Sequence, residues 1–273
     1  MGERSPSPFG RILRQWRTRR GMSQLRLATE AGISTRHLSF VETGRSQPSR
    51  EMVLRLAESL DVPLRERNGL LASAGFASLY RESALDAPGM ETLRRMLEFL
   101  LRQHEPYPAF LIDRCWRVVR ANGAALRGFA RFAGPAPVWR QQPPNLLRLT
   151  LDPGGLRSFI VNFEEVASSL LSHLERAAAL CASDRELAGL RDEVLALPDL
   201  PESVRVPDLD RVSQPVLPLH LKRDGFELRL FSTITTVGTP QDVTLQELRI
   251  ESFMPADDTS DAVLRGLAAA AAG

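Results

Sequence analysis

From Phe9 to about Phe76 the apolar residues come in short sets at helical spacing, with little of the alternation that a strand needs. Ser23, Ser34 and Ser49 each stand just ahead of such a set, where a side-chain oxygen can cap a first turn. Gly21, Gly32 and Gly44 punctuate the ends. The block predicts several short helices. Residues 77–89 are looser and close on Asp86-Ala-Pro-Gly89, the expected linker. A helix is expected over 90–103, with Leu93, Met96, Leu97, Leu100 and Leu101 on one face. Residues 108–122 read as two short strands around an Asp113-Arg114 turn. Helices are expected over 159–182 and 184–197, and the four prolines of 198–215 predict an irregular stretch. Strand patterns follow at 215–223, 226–237 and 243–253, with Asp224-Gly225 as a hairpin turn and 238–242 as a second turn. A last helix is expected over 258–271.

Within the first block, residues 23–42 carry a particular spacing. Ala28 falls where two helices would cross closely, so a small side chain is needed. Gly32, four residues on, falls where the turn requires positive φ, which glycine adopts cheaply. Ile33, Leu38 and Val41 would bury the second helix against the first, and Ser34 would cap it and leave its N-terminus facing outward. This is a helix-turn-helix pattern, and such a second helix fits the major groove of B-DNA. Ser34, Thr35, Arg36 and His37 would reach base edges, with Arg36 the guanine reader. Gln24 can reach a phosphate or an outer base, the amides of Gln24 and Thr35 add phosphate contacts, and Arg45, Ser46 and Arg50 can clamp the backbone.

Charge sharpens this reading. The chain has 273 residues, 43% of them hydrophobic and 25% charged, which suits one or two globular domains and excludes a wholly disordered chain. The net charge of +2 conceals an asymmetry: residues 1–50 hold ten Arg and three Glu, a net of +7, and the remainder carries −5. A basic head on a mildly acidic body points the head towards a polyanion.

Residues 9–75 resemble the Xre-type helix-turn-helix domain. The resemblance is carried by the run 9–17 of Phe-Gly-Arg-Ile-Leu-Arg and Arg17, by Gly21-Met-Ser-Gln24, by Ala28 and Gly32, by Leu38, Val41, Glu42, Gly44 and Arg45, by Pro48-Ser49, and by Leu54 and Ala57. It departs at Phe40, where relatives carry a long polar or basic residue that touches DNA; Phe40 is left to meet a thymine methyl or to pack. The remainder is similar to the ligand-binding half of the MmyB-like regulators. That likeness rests on Pro108, Asp113, Trp116, Asn122 and Ala125, on the run 144–153, and on the helix near 163–167. The 198–212 stretch and the terminal strands depart from the pattern. The resemblances imply a multidomain α and α+β chain: a five-helix domain over 1–76, a linker over 77–89, and over 90–273 a PAS-like antiparallel sheet with helices on one side. They imply a transcription regulator that binds double-stranded operator DNA as a homodimer. A fatty acid or similar lipophilic ligand would occupy an apolar pocket of the second domain. An alternative is that this domain only dimerises the protein or binds a protein partner.

From the residues, the aromatics Phe110, Trp116, Phe129, Phe132, Trp139, Phe159, Phe163, Phe226 and Phe231 can line such a pocket, and they equally suit a plain core. Asn145 and Arg148 can hold a carboxylate, and an ordinary surface role suits Arg148 as well. His220 alternates with Leu219 and Leu221 and is expected as a satisfied or exposed histidine. No P-loop, HExxH, CxxC or nucleophile elbow is present, so neither catalysis nor a resident cofactor is expected. Cys115 and Cys181 lack metal-ligand spacing and fit a reducing compartment, and the four histidines stand apart, so no metal is expected. Glu164 and Glu165 are adjacent, share no helix face, and suit a helix N-terminus. No run approaches the roughly 18 apolar residues of a membrane span, and the polar start lacks the marks of a signal peptide. A cytoplasmic protein is expected.

Overall fold

A computed structural model describes residues 7–181, 184–205 and 218–272. The chain divides into two compact units, one of residues 1–84 with 239–246, the other of 85–238 with 247–273.

The first unit carries five helices: α1 Pro8–Arg19, α2 Gln24–Glu30, α3 Thr35–Glu42, α4 Arg50–Ser59 and α5 Leu64–Ser73. The serines do what their positions predict. The side chains of Ser23, Ser34 and Ser49 accept from the amides of Arg26, His37 and Met52 at 3.1, 3.1 and 3.2 Å. Ser7, which the sequence reading passed over, caps α1 in the same way through Gly10. Gly21, Gly32 and Gly44 have φ of 62°, 65° and 75°, the left-handed region that ends a helix without a Cβ penalty. The core is built from Phe9, Leu13, Trp16, Leu27, Ala28, Leu38, Val41, Leu56, Leu60, Leu70 and their neighbours. Residues 78–80 are tied to α5, because Asn68 Oδ1 accepts from the amides of Leu79 and Tyr80.

The second unit opens with α6 Glu91–Gln103 and is organised by five strands: β1 Ala109–Ile112, β2 Val118–Ala121, β3 Pro218–Arg223, β4 Phe226–Thr236 and β5 Arg249–Pro255. They form one antiparallel sheet in the order β2-β1-β5-β4-β3. Between β2 and β3 lie α7 Gly123–Ala130, α8 Leu146–Leu151, α9 Phe163–Leu180, α10 Arg185–Leu195 and α11 Glu202–Arg205; α12 Val243–Glu247 precedes β5 and α13 Asp258–Ala272 follows it. The main core packs side chains of β1, β3, β4 and β5 against α7–α10 and α13. A smaller core lies on the other face, where Leu97 and Leu101 of α6 meet Ala109, Leu111, Leu248 and Ile250. Helices therefore cover both faces, not one as the resemblance implied.

Several local expectations change. The strand expected over 243–253 begins only at Arg249, because Asp242 accepts from the Thr244 amide and turns 243–247 into a helix. The helix expected from 159 starts at Phe163, after a 3₁₀ turn over Arg157–Phe159. On α6, Leu97 and Leu101 are buried but Met96 is exposed, since only the stripe aligned with the sheet finds a partner. The irregular stretch of 198–215 contains α11; its remainder from 206, the strand start at 215–217 and the end of the helix at 182 lie outside the described residues. Among the described residues no helix is long and apolar enough to cross a membrane.

Candidate functional sites

The first site is the outward end of α3. Ser34 caps it, Ser34 and Arg36 are exposed, and Thr35 and His37 are half-buried, so the four residues expected to reach bases occupy one turn at the surface. Behind them Leu38 and Val41 are fully buried. The helix end carries unpaired backbone N–H groups and a partial positive charge. Phe40 neither stands free nor simply packs: the Arg36 and Arg45 guanidinium carbons lie 5.4 and 6.0 Å from its ring centroid. Such a stack orients two cations at once. The amides of Arg45 and Ser46 both donate to the Phe40 carbonyl, which fixes the start of the following loop. Arg50, exposed, opens α4.

Gln24 turns partly inward. Its amide donates to Glu42 Oε2 at 2.8 Å. Glu42, 4% exposed, also receives Arg17 through Nε at 2.6 Å and Nη2 at 3.0 Å, while Arg17 Nη1 donates to the Met22 carbonyl. This bidentate pair locks α1 to α3 and aims α2's first residue. In the sequence Arg17 and Glu42 stand out only as parts of a resemblance. A buried carboxylate needs a nearby cation, a signal that spacing alone does not supply. In the sequence Arg11, Arg14 and Arg19 stand out only as charge. In the structure these exposed arginines line, with Gln24, an open cleft of about 730 Å³.

The second site is the main core of the sheet-bearing unit. Phe110 meets Phe129 edge-on at 5.2 Å and Phe253 at 6.0 Å. Phe132 touches Phe159 and Phe226. Trp116, 5% exposed, stands on a turn whose amides at Cys115 and Arg117 donate to Asp113 Oδ1, and its φ is 58°. For so bulky a residue this is a strained conformation that the surroundings must hold. Trp139 and Phe163 pack at the edge of the same cluster. Trp139 donates to the Gly154 carbonyl, and Phe163 lies under the Arg157 guanidinium at 4.7 Å.

Of the expected ligand residues, Phe110, Trp116, Phe129, Trp139 and Phe163 are thus brought together. Phe231 is not. Leu228 and Leu230 belong to the main core, and strand alternation sends Phe231 to the opposite face, where it pairs with Met254. Asn145 caps α8 by accepting from the Arg148 amide and donates to the Cys115 carbonyl at 2.7 Å. Arg148 pairs with Glu193. Both therefore have partners inside the protein. His220 is half-buried and hydrogen-bonded to Glu227 at 2.8 Å. Arg114 and Arg117 tie the β1–β2 turn to Asp184 and Glu186 at the start of α10. Those bonds, led by Arg117, hold the Glu186 carboxyl down at about 2. Burial pushes the Cys115 thiol up to about 12. Among the described residues no group of three His, Cys, Asp or Glu side chains could hold a metal.

Two charged residues went unnoticed in the sequence: Arg249 and Glu251 on β5. The signal was there, because Leu248, Ile250 and Ser252 alternate with them. With the even positions on α6's side of the sheet, the odd ones face the main core.

Comparison with known proteins places both halves. The model of the MmyB-like transcription regulator ligand binding domain matches residues 93–267, more than half of the chain. A helix-turn-helix model matches residues 13–67. The chain is similar to the HTH-type transcriptional regulator SlrR of Bacillus subtilis, 40% identical over 21% of this chain and 39% of that protein. It is also similar to the uncharacterized HTH-type transcriptional regulator RghRB of Bacillus subtilis, 35% identical over 30% of this chain and 57% of that protein. The matched stretches thus cover less than two thirds of the length of each of these two relatives. The solved restriction-modification controller protein C.AhdI from Aeromonas hydrophila is 38% identical, covering 22% of this chain and 92% of its own, with a TM-score of 0.22.

Proposed function

Because the chain belongs to the MmyB-like transcription regulators, we propose that it is a one-component switch whose operator affinity is set by a lipophilic, fatty-acid-like ligand. It carries a helix-turn-helix and a ligand-binding-type domain. The observation that carries the DNA half is the capped, outward first turn of α3, with Arg36 exposed and Arg45 sharing the Phe40 ring with it. Base readout falls to Ser34, Thr35, Arg36 and His37, and backbone contacts to Gln24, Arg45, Ser46 and Arg50. A homodimer sets two such helices about one DNA turn, roughly 34 Å, apart on a pseudo-palindrome. The ligand acts by binding two conformations unequally. The apolar cluster around Phe110, Phe129 and Phe253 supports an aliphatic ligand. The protein acts in the cytoplasm, beside its operator.

A second reading has its own support. Met96 and Phe99 are exposed on α6 at 39% and 53%, as on a helix that meets another chain, so the domain would serve dimerisation alone. Native mass spectrometry of the purified protein, followed by denaturing extraction, separates the two. One acyl chain per protomer is expected. A dimer mass without adduct, unchanged by added decanoic acid, would favour the dimerisation reading.

A further inference from the structure

The main-core face of the sheet changes character along its length. Residues paired directly across an antiparallel ladder point to the same face. Arg249 pairs with Ile112 and Thr236, Glu251 with Phe110 and Ile234, and Phe253 with Ser232. Ile112, Phe110 and Phe253 belong to the main core, so Arg249 and Glu251 share its face. Along β4 that face runs from buried Leu228 and Leu230 to exposed Ser232, Ile234 and Thr236. Ile234 is 53% exposed, an apolar side chain beside two half-buried charges.

Arg249 differs from the half-buried Arg17, Arg114, Arg127 and Arg148 in having no carboxylate in contact. Its guanidinium carbon lies 4.8 Å from the Trp116 ring centroid. Nη2 donates to the carbonyls of Asp113 and Arg114, each at 3.3 Å. Nε is buried and has no hydrogen-bond partner among the described residues, as is also true of Arg127 and Arg148; what Arg249 lacks besides is a carboxylate contact. Glu251 and Asp113 act on it only through space. Arg17, Arg114, Arg127 and Arg148, by contrast, each touch a carboxylate directly. A guanidinium does not lose its charge in a protein, so an enclosed one without a paired anion has a strong unmet demand for one.

The neighbours fit that demand. Burial raises the pKa of Glu251, against the pull of Arg249 and of a hydrogen bond to Ser232, which both lower it. Trp116 fixes the guanidinium plane, and its strained backbone is of the kind found at ligand clamps.

We propose that Arg249 anchors the head group of a carboxylic acid with an aliphatic chain, the chain lying along Ile234 towards the Phe110–Phe253 wall. This rests on the lipophilic-ligand reading and supplies its polar end. The carboxylate accepts from Arg249 Nε. Asn145 and Arg148 then have a structural part only.

The test is calorimetric titration of the full chain with decanoic acid and with 1-decanol. The wild type is expected to bind the acid more tightly. Arg249→Met is expected to weaken the acid at least about tenfold, the loss of a charge-assisted hydrogen bond, and to leave the alcohol unchanged. Ile234→Glu, at an exposed position that cannot disturb the core, is expected to weaken the acid in a protein with unaltered melting. Undiminished acid binding by both variants would overturn the anchor while leaving the lipophilic reading intact. A wild type that binds neither probe would overturn both.

Discussion

Glu42, on α3, joins α1 and α2 of the helix-turn-helix unit through Arg17 and Gln24. It is buried, takes both Arg17 bonds and holds Gln24. Glu42→Ala leaves a guanidinium and an amide without their acceptor, a loss of about 3–5 kcal/mol for a broken buried pair. Calorimetry should show the melting of the helical unit falling by more than about 10 °C, with the rest of the chain unaffected. Glu186 gives a pH dependence. Its carboxyl falls from an ordinary 4.5 to about 2 in the folded state, chiefly through Arg117. A depressed carboxylate stabilises the fold fully above 4.5, and that share is lost as pH falls towards 2. At 42% exposure solvent weakens the pair, so the effect is modest. The urea midpoint should drop between pH 5.5 and pH 3, and drop less in Glu186→Gln. Cys115, 2% exposed and with its thiol pushed up to about 12 by burial, should stay unmodified by iodoacetamide at pH 8 in the native protein.

At the scale of elements, what could be read in advance was what is local. Serine caps and positive-φ glycines act within four residues, so the helices of the first unit and their punctuation followed from the sequence. The Asp224-Gly225 hairpin did too. The contacts that span distance did not. A Cβ on Gly10 would stand 2.4 Å from the Glu42 carbonyl oxygen, so α1 and α3 meet through a glycine that reads in the sequence as an ordinary helical residue. Gly32 has open space about it, and its constraint is φ alone. Gly32→Ala should therefore cost only about 1–2 kcal/mol, and Gly10→Ala more, because backbone must move; paired thermal melts compare them. Phe231 shows a different failure. The alternation of Phe226, Leu228 and Leu230 set it on the opposite face, but aromatic content drew attention ahead of phase. Asp242 likewise converted an apparent strand into α12 by a cap that the apolar pattern concealed.

Across the whole molecule, charge and connectivity divide the labour. The basic excess lies in residues 1–50 and the acidic excess in the remainder. The chain passes between its two units at 84–85 and again at either end of 239–246, so strands β4 and β5 of one unit are joined through a segment of the other. The head exposes Arg11, Arg14, Arg19, Arg45 and Arg50, to which the proposed function gives phosphate contacts. A log–log dependence of DNA affinity on salt with slope of about −4 to −5 per protomer is expected, reduced by about one in Arg14→Ala. The proposed function assigns sequence choice to α3. The most direct measurement is the Kd, at one fixed salt concentration, of the full chain and of Arg36→Ala for a duplex selected by the wild type from a random pool. Selection should return a pseudo-palindrome, and Arg36→Ala should bind it at least about tenfold more weakly with sequence preference relaxed at one position of each half-site. Failure of the pool to yield any preferred duplex, or equal affinity and preference in the folded variant, would contradict DNA recognition by α3.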